Sequence, residues 1–199
     1  GSLIIEFDAS KASTYREVLS QICKLTFSFG KIGRGGAFIL CKFSEKSVKR
    51  ITPQIKKSSI VSDFTVSYSK IVGSFLVGES DTEIYYKEYS SSDDGPGLTY
   101  NLGDISIFRG DDAANQAVFD VLFENLKRIN YTPCDISFIG DPALELGDKV
   151  TNVDMNGVET DFYITSYRWV YRGDHHIKGT GSDPVLANAK DKAAKLEEK

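Results

Sequence analysis

The first third of the chain changes from a strand-like to a helical pattern of hydrophobic positions. Residues 3–7 form a short apolar run that predicts a strand. Thr14 and Glu17 have the spacing of a capping box, in which each side chain pairs with a free backbone N–H at the start of a helix. Apolar positions at helical spacing then predict a buried face made of Tyr15, Val18, Leu19 and Ile22.

Two short runs of strand-like composition follow this helix. They cover residues 27–32 and 37–43, and the glycine-rich stretch 33–36 separates them. Glycine supplies the backbone conformations that a tight reversal needs, so the arrangement predicts a β-hairpin.

The middle of the chain is rich in β-branched and aromatic residues and contains one helix. The segments that predict strands are 64–72, 75–77, 83–89 and 98–108. Residues 90–97 are too polar and too rich in glycine to pack, which predicts a loop. Asp111 and Asp112 begin a helix over 111–130, because carboxylates stabilise the positive end of a helix dipole. Its predicted buried stripe is Val118, Phe119, Leu122, Leu126 and Ile129.

The pattern from Tyr131 onward is β again, with two marked turns. Asn156-Gly157 is the preferred pair of a type I′ hairpin turn, and Arg172-Gly173-Asp174 indicates a second turn. Between the turns, the sequence predicts a strand with one aromatic outer face composed of Tyr163, Tyr167, Trp169 and Tyr171. The Ala/Lys/Glu-rich segment 184–199 favours a helix with little apolar face of its own.

This order of elements predicts an α+β protein with hairpin-connected strands. We expect an antiparallel barrel-like or sandwich-like portion with an inserted or adjoining small α/β portion. The predicted division is a small α/β portion over 3–57, a strand-rich portion over 58–182 that contains the helix 111–130, and a linker over 183–199.

Composition and charge narrow the classes of function. Hydrophobic residues make up 41% and charged residues 26% of the 199 residues, which is typical of a globular protein. The net charge of −4 argues against a nucleic-acid binder that neutralises phosphates. No apolar run approaches the roughly 18 residues that a transmembrane helix needs.

The candidate chemistry of the chain is sparse. His175 and His176 are adjacent, so on a strand their side chains point to opposite faces and cannot converge on one metal. Cys23, Cys41 and Cys134 are odd in number and lack a Cys-x-x-Cys pair, which favours small buried side chains over a disulfide or a metal site. We therefore expect no catalytic centre, no metal and no cofactor.

One segment of the chain is more informative than the rest. Gly140-Asp141-Pro142 predicts a turn in which Asp folds onto the backbone and Pro fixes φ, and Gly147-Asp148 predicts a second tight corner before a strand resumes. The block resembles the Gly-Asp-Pro … Gly-Asp-x-Val element of phage tail hub proteins. This family includes tail-associated proteins of long-tailed phages and the hubs of contractile tails and tailocins.

The front of the chain is similar to that family as well. Residues 14–22 resemble the helix that precedes an Ile-x-Arg-x-Gly hairpin, present here over 32–36, and the strand 38–43 follows it. The likeness covers most of residues 12–182 in the family's order.

The resemblance implies a non-enzymatic subunit at the tip or baseplate hub of a virion tail, assembled as a homotrimer. Its partners would be tail-tube, distal-tail or fibre subunits. Gly1-Ser2 is typical of a tag remnant, and the abrupt start at residue 3 favours a segment of a longer protein, so any enzymatic domain is expected beyond Lys199.

Two other classes of function stay open at the level of sequence. The aromatic face of Tyr163, Tyr167, Trp169 and Tyr171 also suits a host-surface carbohydrate-binding module, because aromatic rings stack on sugars as well as filling cores and interfaces. An enzyme is the weakest alternative, since no nucleophile, base and stabiliser occur together in the sequence.

Overall fold

The computed structural model describes residues 14–33, 35–80, 83–93, 95–108, 111–170 and 174–184. The predicted strand over 3–7 and all but the first residue of the segment 184–199 lie outside these residues. So do Arg172 and Gly173 of the predicted second turn.

In chain order, the elements of the described residues are α1 (Tyr15–Leu25), β1 (Phe29–Ile32), β2 (Phe38–Cys41), β3 (Ser47–Ile51), β4 (Lys56–Val61), β5 (Tyr68–Ser80), β6 (Glu83–Ser92), β7 (Leu98–Ile105), α2 (Asp112–Leu126), β8 (Cys134–Phe138), β9 (Lys149–Val153), β10 (Glu159–Tyr163), β11 (Ser166–Trp169) and β12 (His175–Lys178). Antiparallel pairs predominate and two pairs are parallel, so the predicted α+β class is confirmed.

The chain forms two compact units, and each is made from two separate stretches of sequence. The first unit contains Gly1–Cys41 and Tyr68–Arg128, and the second contains Lys42–Ser67 and Ile129–Lys199. The described strands form four sheets with the orders β1-β2, β6-β5-β7, β10-β9-β3 and β11-β12-β8-β4, and none of these sheets closes into a barrel. The predicted sandwich-like arrangement is the one observed.

Helix α1 of the first unit begins at the predicted cap. The Thr14 hydroxyl oxygen accepts a hydrogen bond from the Glu17 backbone N–H at 3.2 Å. The prediction that Tyr15 belongs to the buried face is wrong, because this side chain is 91% exposed in the first turn. Val18, Leu19 and Ile22 are partly buried, and the fully buried positions of the helix are Gln21 and Leu25.

The Gln21 side chain attaches α1 to the segment that follows β7. Its Oε1 accepts hydrogen bonds from the backbone N–H groups of Ser106 and Ile107, at 2.9 and 3.1 Å. Its Nε2 donates to the Ser106 hydroxyl at 3.1 Å. A buried amide therefore satisfies two backbone donors that lie beyond the end of the strand.

The sheet β6-β5-β7 and helix α2 enclose the core of the first unit. Strand β5 is one strand of 13 residues, not the two predicted segments. It pairs antiparallel with β6 and parallel with β7. Phe75 on β5 is fully buried, and its ring centroid lies 5.2 Å from that of Phe119 on α2. Asp111 caps α2 by accepting from the Ala114 N–H at 2.8 Å.

Two details of this unit differ from prediction. Helix α2 ends at Leu126, so Ile129 is buried but lies beyond the helix and in the second unit. Residues 90–92, predicted as part of a loop, complete β6, because their backbone groups pair with β5 whatever the polarity of their side chains. At the end of the predicted loop 90–97, the backbone of Gly97 lies close to that of Ser69. A Cβ on Gly97 would be 2.4 Å from the Ser69 nitrogen, so a larger residue does not fit there.

The second unit contains the sheets β10-β9-β3 and β11-β12-β8-β4. The first of them has an antiparallel pair, β9 with β10, and a parallel pair, β9 with β3. The second is antiparallel throughout. Buried apolar residues of these strands include Ile51, Val150, Phe162, Ile136, Phe138 and Ile177.

The turn between β9 and β10 is not the predicted type I′ turn. Only Gly157 has positive φ, at +83°, whereas type I′ requires positive φ at both central residues. The Asp154 side chain accepts from the N–H groups of Asn156 and Val158, both at 2.8 Å. The hairpin itself is present, but its loop is longer than two residues. The bonds to the Asp154 side chain stabilise this longer loop, and Gly157 supplies the positive φ that it needs.

The single strand predicted across 162–171 is divided in two. The N–H of Ile164 donates to the Asp148 carbonyl at 3.0 Å, and the N–H of Thr165 donates to the Lys178 carbonyl at 2.9 Å. Consecutive residues therefore pair with different partners, and the chain passes from the sheet of β10 into the sheet of β11.

Candidate interaction site

The register of the second unit's four-stranded sheet places three rings side by side. Trp169 on β11 is opposite His175 on β12, and His175 is opposite Phe138 on β8. Directly paired residues project to the same face of a sheet. The ring centroid of His175 lies 4.7 Å from that of Trp169 and 5.1 Å from that of Phe138.

The side chain of His175 is buried beneath its aromatic neighbours on this face. It is 1% exposed, and its Nδ1 accepts a hydrogen bond from the Asp141 backbone N–H at 3.4 Å. Its Nε2 is buried and has no hydrogen-bond partner within the described part of the chain. Burial lowers the pKa of His175, while the negative charge of Asp141 opposes that shift in part. The imidazole is therefore neutral at pH 7.

The neighbouring histidine lies on the opposite, polar face of the sheet. His176 Nε2 is 2.9 Å from an Asp135 carboxylate oxygen, and its Nδ1 is 3.1 Å from the Ser137 hydroxyl. The Lys178 ammonium lies 3.5 Å from the other oxygen of the same carboxylate group. The two rings diverge, and no cluster of three potential metal ligands occurs among the described residues.

Gly140 is the point at which the first corner touches the aromatic strand. A Cβ on Gly140 would lie 2.3 Å from Cη2 and 2.4 Å from Cζ3 of Trp169. It would also lie 2.9 Å from the Cβ of His175. Gly140 therefore permits the indole ring to cover the corner, a role that depends on the missing side chain.

Asp141 holds the first corner through two contacts of its carboxylate. Its carboxylate accepts from the Ala143 N–H at 3.1 Å, the Asx-turn bond expected of Asp in this position. It also accepts from the Lys49 ammonium at 2.8 Å. The bond from Lys49 is the largest of the effects that lower the pKa of Asp141, followed by the bond from Ala143. Pro142 follows Asp141 and lines the recess described below.

The second corner is built on Gly147 and Asp148. Gly147 has φ of +84°, which favours glycine, and its N–H donates to the Ile164 carbonyl at 2.9 Å. The Asp148 carboxylate accepts from the Glu145 N–H at 2.8 Å and from the Ser44 hydroxyl at 3.3 Å. Both corner carboxylates are thus occupied by bonds within the chain.

The structure separates the four predicted aromatic residues. Tyr167 and Trp169 are 50% and 45% exposed and lie on the same face of β11. Tyr163 is 6% exposed and packs against Phe43 and Tyr131, with ring centroids 5.3 and 5.6 Å away, so it belongs to the core. Tyr171 lies outside the described residues.

Tyr167 and Trp169 border a small recess beside the first corner. Its volume is about 210 Å³, and it is lined by Pro142, Leu144, Tyr167, Trp169 and His175. No local pattern in the sequence places His175 or Leu144 with the aromatic pair. Their proximity depends on the β11–β12–β8 register and on the long-range position of the corner, which local patterns do not specify.

A larger cavity of about 460 Å³ occurs elsewhere in the second unit, lined by Pro53, Lys56, Lys57, Ser58, Ser59, Val61, Asn152, Asp154 and Met155. The ammonium of Lys56 already donates to Asn152 Oδ1 and to the Val153 carbonyl. Lys57 pairs with Asp174. Both cations of this cavity therefore have partners within the chain.

The one cysteine of the second unit, Cys134, is not a ready nucleophile. Burial raises the pKa of Cys134 to about 12, so its thiol stays protonated. Burial also raises the pKa of the Cys23 thiol in the first unit, so this thiol too is protonated at neutral pH. Within the described residues, no helix combines the length and the apolar character that crossing a membrane requires.

Comparison with known proteins gives a likeness in structure only. No protein-family model matches the sequence, and no curated protein matches it significantly. A chain in the virion of a native gene transfer agent particle aligns with a TM-score of 0.53 and 11% identity, over 86% of this chain and 39% of that one.

Two crystal structures align over similar lengths with lower scores. The 43 kDa tail protein of prophage MuSo2 from Shewanella oneidensis has a TM-score of 0.46 and 12% identity, over 88% of this chain and 56% of that one. The prophage tail protein gp18 from Listeria monocytogenes EGD-e has a TM-score of 0.46 and 15% identity, over 94% and 58%. The chain thus spans less than two thirds of each solved chain, and the first of the three likenesses shows a shared fold.

Proposed function

We propose that this chain is a structural protein of a phage or prophage tail, and specifically a subunit of the tail-tip or baseplate hub. The observation that carries the proposal is the fold shared with a virion protein over 86% of the chain. The resemblance of the corner 140–148, the front helix and the hairpin to tail hub proteins adds support, because the three occur in the family's order.

The chemistry of the corners is consistent with a scaffolding role. The carboxylates of Asp141 and Asp148 accept hydrogen bonds from backbone N–H groups. Asp141 also accepts from Lys49, and Asp148 also accepts from Ser44. A catalytic carboxylate needs to face a substrate, whereas these stabilise turns. We infer that the chain itself is not an enzyme.

An exposed apolar hairpin in the first unit provides a surface for assembly. Ile32 on β1 is 69% exposed, and Phe38, Ile39 and Leu40 on β2 are 39%, 43% and 45% exposed. Consecutive residues of a strand point to opposite faces, so both faces of β2 carry solvent-exposed apolar side chains. Clusters of this kind mark protein interaction sites. In the proposed assembly, three copies form a ring, and tail-tube, distal-tail or fibre subunits contact it.

The proposal is tested by co-expression with the tail proteins encoded beside this chain, followed by affinity purification and native mass spectrometry. We expect a complex that contains three copies of the chain and at least one other tail protein. The substitution Ile39→Asp should abolish the complex without lowering the melting temperature.

Val121→Asp is the matched control, because Val121 is also an exposed apolar residue of the first unit, at 48%, but lies on α2. It should leave the complex intact. A chain that stays monomeric and purifies alone in the presence of every neighbouring tail protein would contradict the proposal.

A further inference from the structure

Strand β4 has an open edge on the side away from β8. The described strands of its sheet follow the order β11-β12-β8-β4, so β4 pairs along one edge only. The Ser62 N–H, just after β4, donates at 2.9 Å to the carbonyl of Pro133, which precedes β8. Bonded and non-bonded positions alternate in an antiparallel pair, so the backbone groups of Ser59 and Val61 point away from β8. Open edges of this kind are templates for pairing with another chain.

The inner face of the sheet is also uncovered at this edge. Ser59 lies directly opposite Ile136 of β8. Val61 lies directly opposite Cys134 of the same strand. Paired residues project to the same face, and both β8 residues are buried there. Ser59 is nevertheless exposed and Val61 is 42% exposed, so the face that belongs to the core at β8 is open to solvent at β4.

The cavity of about 460 Å³ lies along this open edge. Its lining includes five residues of β4, which are Lys56, Lys57, Ser58, Ser59 and Val61, and its other walls are Pro53, Asn152, Asp154 and Met155. Ser58 and Ser59 project to opposite faces of the strand, so a volume that touches both also reaches the backbone edge between them. The stretch 56–61 is about 17 Å long, which accommodates an extended peptide of about five residues.

The charge of Lys56 indicates the chemistry of a strand that would fill this cavity. Its ammonium donates to Asn152 Oδ1 and to the Val153 carbonyl, and both acceptors are uncharged. Burial lowers the pKa of Lys56, and the charge of Asp154 opposes that shift in part. The Asp154 carboxylate itself accepts from two N–H groups of its own turn and forms no ion pair with Lys56. An acidic side chain on an added strand would give this ammonium a charged partner.

We propose that β4 binds an extended acidic segment of a partner protein, which pairs with it as a fifth strand of the sheet. Backbone groups of the segment bond with those of Ser59 and Val61, as in other peptides that add to a sheet edge. A carboxylate of the segment contacts Lys56, and an apolar side chain covers Val61 and Met155, which is 87% exposed. This surface is in the second unit, is separate from the hairpin β1–β2, and does not depend on the tail assignment.

Amide hydrogen exchange of the free chain, measured by NMR, tests the open edge. We expect fast exchange at Ser59 and Val61, whose N–H groups point outward. Ile60 is the internal control, because its N–H points to β8 and should exchange slowly. Slow exchange at Ser59 and Val61 in the free protein would show that another part of the chain already covers the edge, and would overturn the proposal.

A ribosome-display library of random nine-residue peptides, selected on the wild type, tests the chemistry of the partner. We expect enriched peptides that combine Asp or Glu with β-branched residues, and these should slow exchange at Ser59 and Val61. Ser59→Pro should bind them about tenfold more weakly, because proline removes an outward N–H but none that pairs with β8. Ser59→Ala is the matched control, since it keeps the N–H and should bind like the wild type. Circular dichroism checks the fold of both variants.

Lys56→Met isolates the role of charge. Replacing the acidic residue of the tightest peptide by its amide should weaken binding to the wild type by about fivefold, the scale of a partly exposed ion pair. The same replacement should not change binding to Lys56→Met. An equal loss with both proteins would show that the carboxylate does not contact Lys56, and would overturn the acidic character of the partner.

Two further results would overturn strand addition at β4. One is a selection that enriches no peptide. The other is an enriched peptide that leaves exchange at Ser59 and Val61 unchanged, a measurement made on the wild type and independent of how Ser59→Pro folds. None of these results affects the assembly test above, which depends on Ile39, so the two proposals fail separately.

Discussion

The indole ring of Trp169 covers Gly140 so closely that a Cβ at this position would lie 2.3 Å from the ring. The glycine of the corner motif and the tryptophan of the aromatic strand are therefore one structural feature. His175 belongs to the same feature, because its ring packs on Trp169 and its Nδ1 accepts a hydrogen bond from the Asp141 N–H.

Gly140→Ala should displace the indole ring. Because the clash involves a large ring held against His175, the substitution should reduce the free energy of unfolding by about 1–3 kcal/mol. It should also shift the emission of Trp169 to longer wavelength as the ring gains solvent exposure. Chemical denaturation monitored by far-UV circular dichroism and by fluorescence measures both effects.

Gly35→Ala provides the control for this comparison. A Cβ on Gly35 has no atom within 4 Å, and the residue does not have positive φ. Its unfolding free energy and emission should match the wild type. If Gly140→Ala were equally neutral in both measurements, the proposed contact between corner and strand would be wrong.

His175 should make stability depend on pH. Burial lowers its pKa below the ordinary value of 6.5, so the unfolded chain binds a proton more readily than the folded chain. The neutral ring's contribution is fully present above pH 6.5 and is lost as the pH falls from 6.5 through the lowered folded-state pKa. Denaturant melts across this interval should show decreasing stability as the solution is acidified.

The comparison with His175→Phe isolates this effect from other titrating groups. Phenylalanine cannot titrate, so the variant should lose less stability than the wild type over the same interval. Parallel curves for the two proteins would show that His175 is not the source of the pH dependence.

Asp148→Ala should weaken the second corner. The substitution removes the acceptor for the Glu145 N–H and for the Ser44 hydroxyl. The expected loss is about 1–2 kcal/mol of unfolding free energy, the typical cost of bonds of this kind at partly exposed sites. Asp63→Ala, at an exposed acidic residue of the same unit, should be nearly neutral. Equal effects of the two substitutions would assign no special role to the corner carboxylate.

Gln21→Ala tests the attachment of α1 in the first unit. Two buried N–H groups, of Ser106 and Ile107, would lose their shared acceptor. The expected loss is about 2–3 kcal/mol, and amide exchange at Ile107 should become faster. Ser20→Ala, one residue earlier and exposed, serves as the control. Unchanged exchange at Ile107 in the Gln21 variant would contradict this role.

Local signals in the sequence were sufficient where a structure depends on neighbours along the chain. Thr14 and Asp111 mark the starts of α1 and α2 because capping involves residues two or three positions away. The hairpin of β1 and β2 was predictable from the glycines between two apolar runs. Asp141 and Asp148 likewise form the side-chain bonds to turn N–H groups that aspartate favours, and Gly147 has the positive φ that favours glycine.

Long-range pairing could not be predicted in the same way. The parallel pairs β3–β9 and β5–β7 join segments that local patterns leave unrelated. The break after Tyr163 depends on Ile164 and Thr165 pairing with two different partners, Asp148 and Lys178. For the same reason Tyr163 is a core residue while Tyr167 is exposed, although both belong to one aromatic run.

The recess shows the same limit for the candidate site. His175 could be identified as one of two histidines on opposite faces of a strand. Its burial between Trp169 and Phe138 follows from the register of three strands, and its bond with Asp141 follows from a corner 34 residues away. Neither relationship leaves a periodic or motif signal in the sequence.

Electron cryomicroscopy of intact particles would show whether this chain is a subunit of a tail-tip or baseplate hub. Particles would be induced from the bacterium that encodes the chain, and the map would be searched for the two units described above. We expect three copies arranged as a ring at one end of the tail tube. Particles whose tails lack the chain, with the protein found only in the soluble fraction of the host, would contradict it.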